Sequence, residues 1–310
     1  MTGDDEFMRQ AEAYRRELLA HCYRMMGSFD DAEDLVQETY LRAWRSYDGF
    51  EGRSSLRTWL YRIATNACLN ALQRSDRRAV PVGFSETESP AAGVAWLQPL
   101  PDALVTPESA DPAAVAVVRD GVRLALIVGL QYLTPRQRAV LILRDVLAWP
   151  AAEVATALDL EVGAVKSLLQ RARTRLREVT PSMDDVLEPS HPRARELLER
   201  YMTAFATADA RAFEEALRAD AVLEMPSAAM WFAGKVACVE YLMSEVVGVA
   251  GDWRKLPTVA NGQPAFGAYL RDGSAFGMAV LTVTDAGIAR VTVFAEPDLL
   301  PRFGLPASLP

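Results

Sequence analysis

The densest run of side chains able to hold a polyanion lies between Val162 and Arg177. Lys166, Arg171, Arg173, Arg175 and Arg177 fall there with no acid among them. Wound as a helix, the run fits a B-DNA major groove, its N-terminal half near base edges and its basic flank near phosphates. The preceding residues have the spacing of a helix-turn-helix. Thr134-Pro135 reads as an N-cap and first helical residue, and Pro150 opens the next helix in the same way. Ala155 lies four residues before Asp159 and ten before Val165, which places a small contact residue, a turn residue and a β-branched apolar residue in order. An amphipathic hairpin with a solvated basic face is the alternative, and five clustered bases argue against it.

A second candidate surface follows Leu56. On a helix there, Arg62, Asn66, Asn70, Gln73 and Arg77 fall opposite the apolar stripe, beside Trp59 and Tyr61, read as exposed. Amides, guanidinium groups and rings in that arrangement suit unpaired bases. Taken alone, Trp59 at helix spacing reads as core rather than as a base wedge. The helix Asp31 to Trp44 is acidic at its start, favourable to the macrodipole, and carries Gln37, Glu38, Tyr40 and Trp44 behind the acids.

Acid–base chemistry has little to work with. The two histidines, His21 and His191, fall in the first helix and in a linker. Cys22, Cys68 and Cys238 lie far apart in apolar contexts, without metal-ligand spacing, and read as buried thiols of a reducing cytoplasm. Glu224 and Glu296 are candidate pocket carboxylates, but both sit at strand ends where exposed acids are common. Met225, Trp231, Phe232, Tyr269 and Phe276 either line an apolar cavity or fill its core. No metal or cofactor is expected.

The 310 residues are half hydrophobic and carry a net charge of −8, which argues against coating nucleic acid through bulk charge. The average conceals segregation. Six arginines and one acid occupy Arg53 to Arg78, whereas seven acids face two arginines between Gly27 and Glu51. The polar, acidic start (Met1 to Arg9) gives no signal peptide, and no apolar run approaches the roughly 18 residues of a membrane span. A cytoplasmic protein without a membrane partner is expected.

Residues 6–79 read as helices, broken at Gly27-Ser28 and between Gly49 and Ser55. Residues 80–112 hold six prolines, lose periodicity and read as an extended linker. A second helical block covers 113–179, and 180–192 is a second linker. From 193 to 306 the pattern becomes α+β. Helices are expected over 193–206, 210–217 and 235–247, and strands over 221–225, 253–260, 265–271, 274–283 and 288–296.

Together these segments resemble the extracytoplasmic-function (group IV) sigma factors of the sigma-70 family. Asp31-Ala32-Glu33-Asp34-Leu35-Val36-Gln37-Glu38-Thr39 with Ala43-Trp44 is similar to the polymerase-binding segment of region 2. The stretch from Leu56 to Asn66 resembles the helix that meets the −10 element. Leu133 to Arg138, with Val165-Lys166-Ser167 through Arg173, resembles region 4, which binds the −35 element. The resemblance implies polymerase contacts at Asp34, Leu35, Val36, Gln37, Glu38 and Trp44. It implies −10 contacts at Trp59, Arg62, Asn66, Asn70, Arg74 and Arg77, and −35 contacts at Lys166, Ser167, Gln170, Arg171 and Arg173. Asp159 departs from the glycine usual at the turn, and Glu161 from the usual Ser or Thr N-cap, so −35 affinity is expected to be differently tuned.

The last 115 residues or so resemble SnoaL-like domains, cone-shaped α+β folds, through element order and Phe232-Ala233-Gly234-Lys235. The segment Trp96-Leu97-Gln98-Pro99-Leu100-Pro101-Asp102 resembles one carried by sigma factors with such a fusion. The implied architecture is two all-α sigma domains followed by an α+β cone. The implied partners are core RNA polymerase (β′ and β subunits) and promoter DNA, with an anti-sigma factor or a small ligand left open. The cone is expected to regulate the sigma module rather than to catalyse.

Overall fold

The computed structural model describes residues 3–50, 52, 54–74, 96–106, 118–179 and 185–310. The described residues form two compact units, one drawn from 1–82 and 103–181, the other from 83–102 and 182–310.

The first unit is helical. Helices α1 (Gly3–Glu12), α2 (Arg15–Met26), α3 (Phe29–Ser46) and α4 (Leu56–Arg74) open the chain. Gly27 adopts φ +73°, closing α2 in the left-handed region, and the Ser28 hydroxyl accepts from the Asp31 N–H to start α3. Ser55 does the same for α4 by accepting from Thr58 N–H. Leu18, Leu19 and Met25 of α2, Val36 and Ala43 of α3, and Leu60 and Ala64 of α4 are buried together. Each leucine-sized side chain among them contributes about 1.5–3 kcal/mol by leaving water.

The second half of this unit holds α5 (Leu124–Gln131), α6 (Pro135–Leu141), a π-type turn (Ile142–Val146), α7 (Ala151–Leu158) and α8 (Val162–Val179). A capping box starts α6, the Thr134 hydroxyl accepting from Gln137 N–H while the Gln137 side chain accepts from Thr134 N–H. Pro150 differs from expectation. It is the N-cap of α7 rather than its first helical residue. Asp159 takes the left-handed turn at φ +53°.

Polar bonds hold the two halves together. Buried Arg138 donates to the Met25 carbonyl and to Gln131, and Arg24 Nε donates to Gly121 O at 2.8 Å. The Tyr61 and Trp149 rings meet edge to face at 6.0 Å.

The second unit is α+β. Helices α9 (Pro192–Thr207) and α10 (Ala210–Ala216) precede β1 (Leu217–Met225), β2 (Met230–Ala233) and α11 (Lys235–Tyr241), which runs on into a π-type turn (Leu242–Val246). Strands β3 (Trp253–Ala260), β4 (Gln263–Leu270), β5 (Ala275–Thr284) and β6 (Gly287–Phe294) complete a six-stranded sheet of order β2-β1-β6-β5-β4-β3. Every pairing is antiparallel except β1 with β6. Tyr201 and Phe205 of α9 and Phe213 of α10 share one core with Phe266, Ala279 and Leu281 of the sheet. Two details depart from the expected elements. Strand β1 starts at Leu217, inside the expected helix, and β2 was not foreseen, being only four residues long.

Part of the presumed spacer is ordered structure. Pro101 bridges to Ala260, Leu100 N–H donates to Asn261 Oδ1 at 2.8 Å, and Asn261 N–H donates to Leu100 O at 3.0 Å. Gly262 N–H donates to Asp102 Oδ1 at 2.8 Å. Residues 97–102 are thus fastened to the β3–β4 hairpin. Proline content and missing periodicity describe an extended segment, and an extended segment can be docked as well as free. The linker acids Glu86, Glu88, Glu108 and Asp111 lie outside the described residues.

Candidate functional site

The helix-turn-helix is α7–α8. Val165 and Ala155 are buried where the helices cross, so Lys166, Ser167, Gln170 and Arg171 are carried on the exposed face. Arg173 is exposed too, but it holds both oxygens of Asp145 at 2.8 and 2.7 Å. Asp145 comes from the π-type turn, 28 residues earlier, and was not foreseen. This pair keeps Arg173 above its ordinary pKa, through the hydrogen bond first and the charge second.

On α4, Arg62, Asn70 and Arg74 are exposed and Asn66 is half-buried. Arg77 lies outside the described residues. Trp59 is half-buried against Phe50, with ring centroids 4.8 Å apart. Tyr61 corrects the expectation of an exposed ring. It is buried, its hydroxyl donates to Glu17 Oε2 at 3.1 Å, and burial drives its phenol pKa up. His21 is also buried, with Nε2 2.9 Å from Thr65 Oγ1. Burial, and secondarily the Arg24 charge, push its pKa down to about 3.

On α3 the resemblance-based segment divides by helical period. Leu35 and Val36 face the core, whereas Asp34 and Gln37 are exposed and Glu38 is half-buried. One and two turns on, Leu41 and Trp44 are 53% and 46% exposed. Both leave large apolar surface open to solvent, which is how a docking face reads.

The second unit contains an apolar cavity of about 250 Å³ between α9, α11 and the sheet. Met225, Phe232 and Phe276 line it as expected. Trp231 and Tyr269 do not, because side chains alternate along a strand. Met230 and Phe232 point in, so Trp231 points away. Phe266 and Ala268 point in, so Tyr269 lies on the other face and its hydroxyl donates to Pro306 O at 2.8 Å. Glu224 is buried, not exposed at a strand end. Its carboxylate accepts from Arg290 at 2.6 Å and from Thr292 Oγ1 at 2.9 Å, residues that alternate with the cavity-lining Val291 and Val293.

Lys255 was missed altogether. Its Nζ is buried with no hydrogen-bond partner, 3.5 Å from the Phe205 ring centroid and 5.0 Å from that of Trp253. Burial lowers its pKa to about 7. The available signal was its place two residues after Trp253, on the same face of β3.

Family profiles agree with this geometry. Sigma-70 region 2 matches residues 11–78 and sigma-70 region 4 matches residues 123–176. The ECF RNA polymerase sigma factor SigG of Mycobacterium tuberculosis is 48% identical over 316 residues, covering 98% of this chain and 85% of its own length. The chain belongs to the ECF RNA polymerase sigma factors. As an ECF sigma factor it works with core RNA polymerase at promoter DNA. SigJ of the same organism is 33% identical over 200 residues, 64% of this chain and 58% of SigJ. The crystal structure of SigJ superposes with a TM-score of 0.62 at 24% identity, covering 97% of this chain and all of the SigJ chain. The shared fold therefore includes the C-terminal α+β unit that follows the two all-α sigma regions. Among the described residues no helix is long and apolar enough to cross a membrane, and no group of His, Cys, Asp and Glu could hold a metal ion.

Proposed function

We propose that this ECF sigma factor docks core polymerase through Asp34, Gln37, Glu38, Leu41 and Trp44, and reads promoters through two separate surfaces. Arg62, Asn66, Asn70 and Arg74 meet the −10 bases, with Trp59 beside them, and the sequence resemblance adds Arg77. Lys166, Ser167 and Gln170 meet −35 base edges, while Arg171 and Arg173 meet phosphates. One observation carries the reading: α3 and α8 expose faces of opposite character, one acidic with the exposed apolar side chains of Leu41 and Trp44 and one basic. Leu35 and Val36 act from the core by packing α3 so that its exposed face is presented.

Regions 2 and 4 share one compact unit, which has a consequence for promoter binding. By their names the −10 and −35 elements lie about 25 base pairs apart, roughly 85 Å at ~3.4 Å per step. A compact unit of about 160 residues has a diameter of about 40 Å. Simultaneous reading therefore requires the Arg138 and Arg24 bonds between the halves to open. The cone holds residues 97–102 of the chain that joins those halves, which supports a regulatory role for it and gives it a lever on the opening. Three buried free cysteines fit a cytoplasmic protein.

Run-off transcription with purified core polymerase on a promoter library tests the reading. Arg171→Ala should weaken binding about equally on all sequences and lower the salt slope by about one. Gln170→Ala should relax preference at one −35 position by about 1–3 kcal/mol. A changed preference with an unchanged salt slope in Arg171→Ala would reverse the roles.

A further inference from the structure

We propose that the cone's cavity binds a small monocarboxylic acid with an apolar body, whose carboxylate pairs with the Lys255 ammonium. The proposal rests on the cavity alone and does not depend on the promoter assignments.

Two observations define the ligand. The first is an unpaired amine on the cavity wall. Nζ of Lys255 is sealed from water, donates to nothing, and sits over the rings of Phe205, Trp253 and Phe266 at 3.5, 5.0 and 5.5 Å. Ring faces attract a cation but do not neutralise it. A buried ammonium without a counter-ion is costly, and an anion placed beside it removes that cost. The second is the space around it. The wall is otherwise largely carbon, from Leu223, Phe232, Phe266, Met278 and Val293 among others. Its volume of about 250 Å³ exceeds the ~150 Å³ of an apolar cavity that accepts benzene, leaving room for about ten non-hydrogen atoms.

The other titratable groups on the wall do not supply the missing charge. Glu224 of β1 turns its carboxylate to the far face, onto Arg290 and Thr292. Glu245, on the turn that extends α11, is exposed at the rim and makes no hydrogen bond to Lys255. Tyr201 of α9 is buried, and burial drives its phenol pKa up. Tyr241 of α11 stacks on Phe232 at 4.1 Å, and burial raises its pKa as well. One positive charge in a carbon-lined space with no further strong donors matches a single carboxylate better than a phosphate, which needs several donors.

Calorimetric titration of the full chain with octanoate and with 1-octanol tests this. Octanoate should bind at least tenfold more tightly than octanol. In Lys255→Met that advantage should vanish while octanol still binds, which shows the cavity intact. A second measurement uses only the unaltered chain. The empty-state amine titrates near 7, so the anion-binding form is depleted as pH rises. Octanoate affinity should fall about fivefold from pH 7 to pH 8, with that of octanol unchanged. Absence of octanoate binding at millimolar concentration, a pH-independent octanoate affinity, or equal octanoate affinity in Lys255→Met would each overturn the proposal.

Discussion

Replacing Asn261 with glycine should release residues 97–102 from the cone. Asn261 is fully buried in the left-handed region at φ +57°, and its Oδ1 accepts the N–H of Leu100, itself fully buried. Alanine would mix two effects, because a Cβ in that region costs about 1–2 kcal/mol by itself. Glycine keeps the backbone and removes only the amide. The orphaned Leu100 N–H then costs about 1–3 kcal/mol, so local opening of the segment should become about five- to 150-fold more frequent. Amide hydrogen exchange reads this directly. Residues 97–102 should exchange faster by that factor, while amides of β4 and β5 shift only by the smaller entropic penalty of a new glycine, about 0.5–1 kcal/mol. Equal exchange of the segment in both proteins would refute the account of what holds it.

Three further outcomes are expected. Asp145→Asn should free Arg173 and strengthen binding to −35 duplex at low salt, measured by fluorescence anisotropy; unchanged affinity would mean the pair already presents Arg173 correctly. Trp44→Ala should weaken core-polymerase binding tenfold or more without altering far-UV circular dichroism, since the ring is nearly half exposed. His21 has a folded pKa of about 3 against 6.5 unfolded, so its stabilising contribution is present above pH 6.5 and lost as pH falls. Between pH 7 and pH 5 the loss should reach about 2 kcal/mol in urea unfolding, and His21→Gln should lack that part of the pH dependence.

Features set by neighbours along the chain were legible from residue types. The Thr134 N-cap, the Asp159 turn and the basic face of α8 all depend on spacings of a few residues. The α+β order of the second unit, apart from the four-residue β2, was likewise readable from hydrophobic period and turn pairs. What escaped depends on partners far away in sequence. Tyr61 reads as exposed on its own helix, but Trp149 and Glu17 cover it. Lys255 reads as a solvated strand residue until α9 places Phe205 over it. Trp231 and Tyr269 carry the right chemistry for a cavity, and only the strand register decides that they face away from it. Residues 97–102 have no periodicity because an extended docked segment needs none.

The attachment of that segment also orders events during synthesis. Leu100 and Asp102 leave the ribosome about 160 residues before Asn261 and Gly262, the groups that hold them. At ~5–20 residues per second the delay is about 8–32 s. For about the second half of that interval, once Val179 has been made, both sigma regions are complete and no β3–β4 hairpin exists to grip the chain between them. Nascent protein therefore passes through a stage in which its DNA-reading halves are joined by an unclamped connector, and the last-made third of the chain closes the clasp. A ribosome that stalls or terminates before Asn261 leaves a sigma module with no such clasp, whatever signal the finished protein obeys.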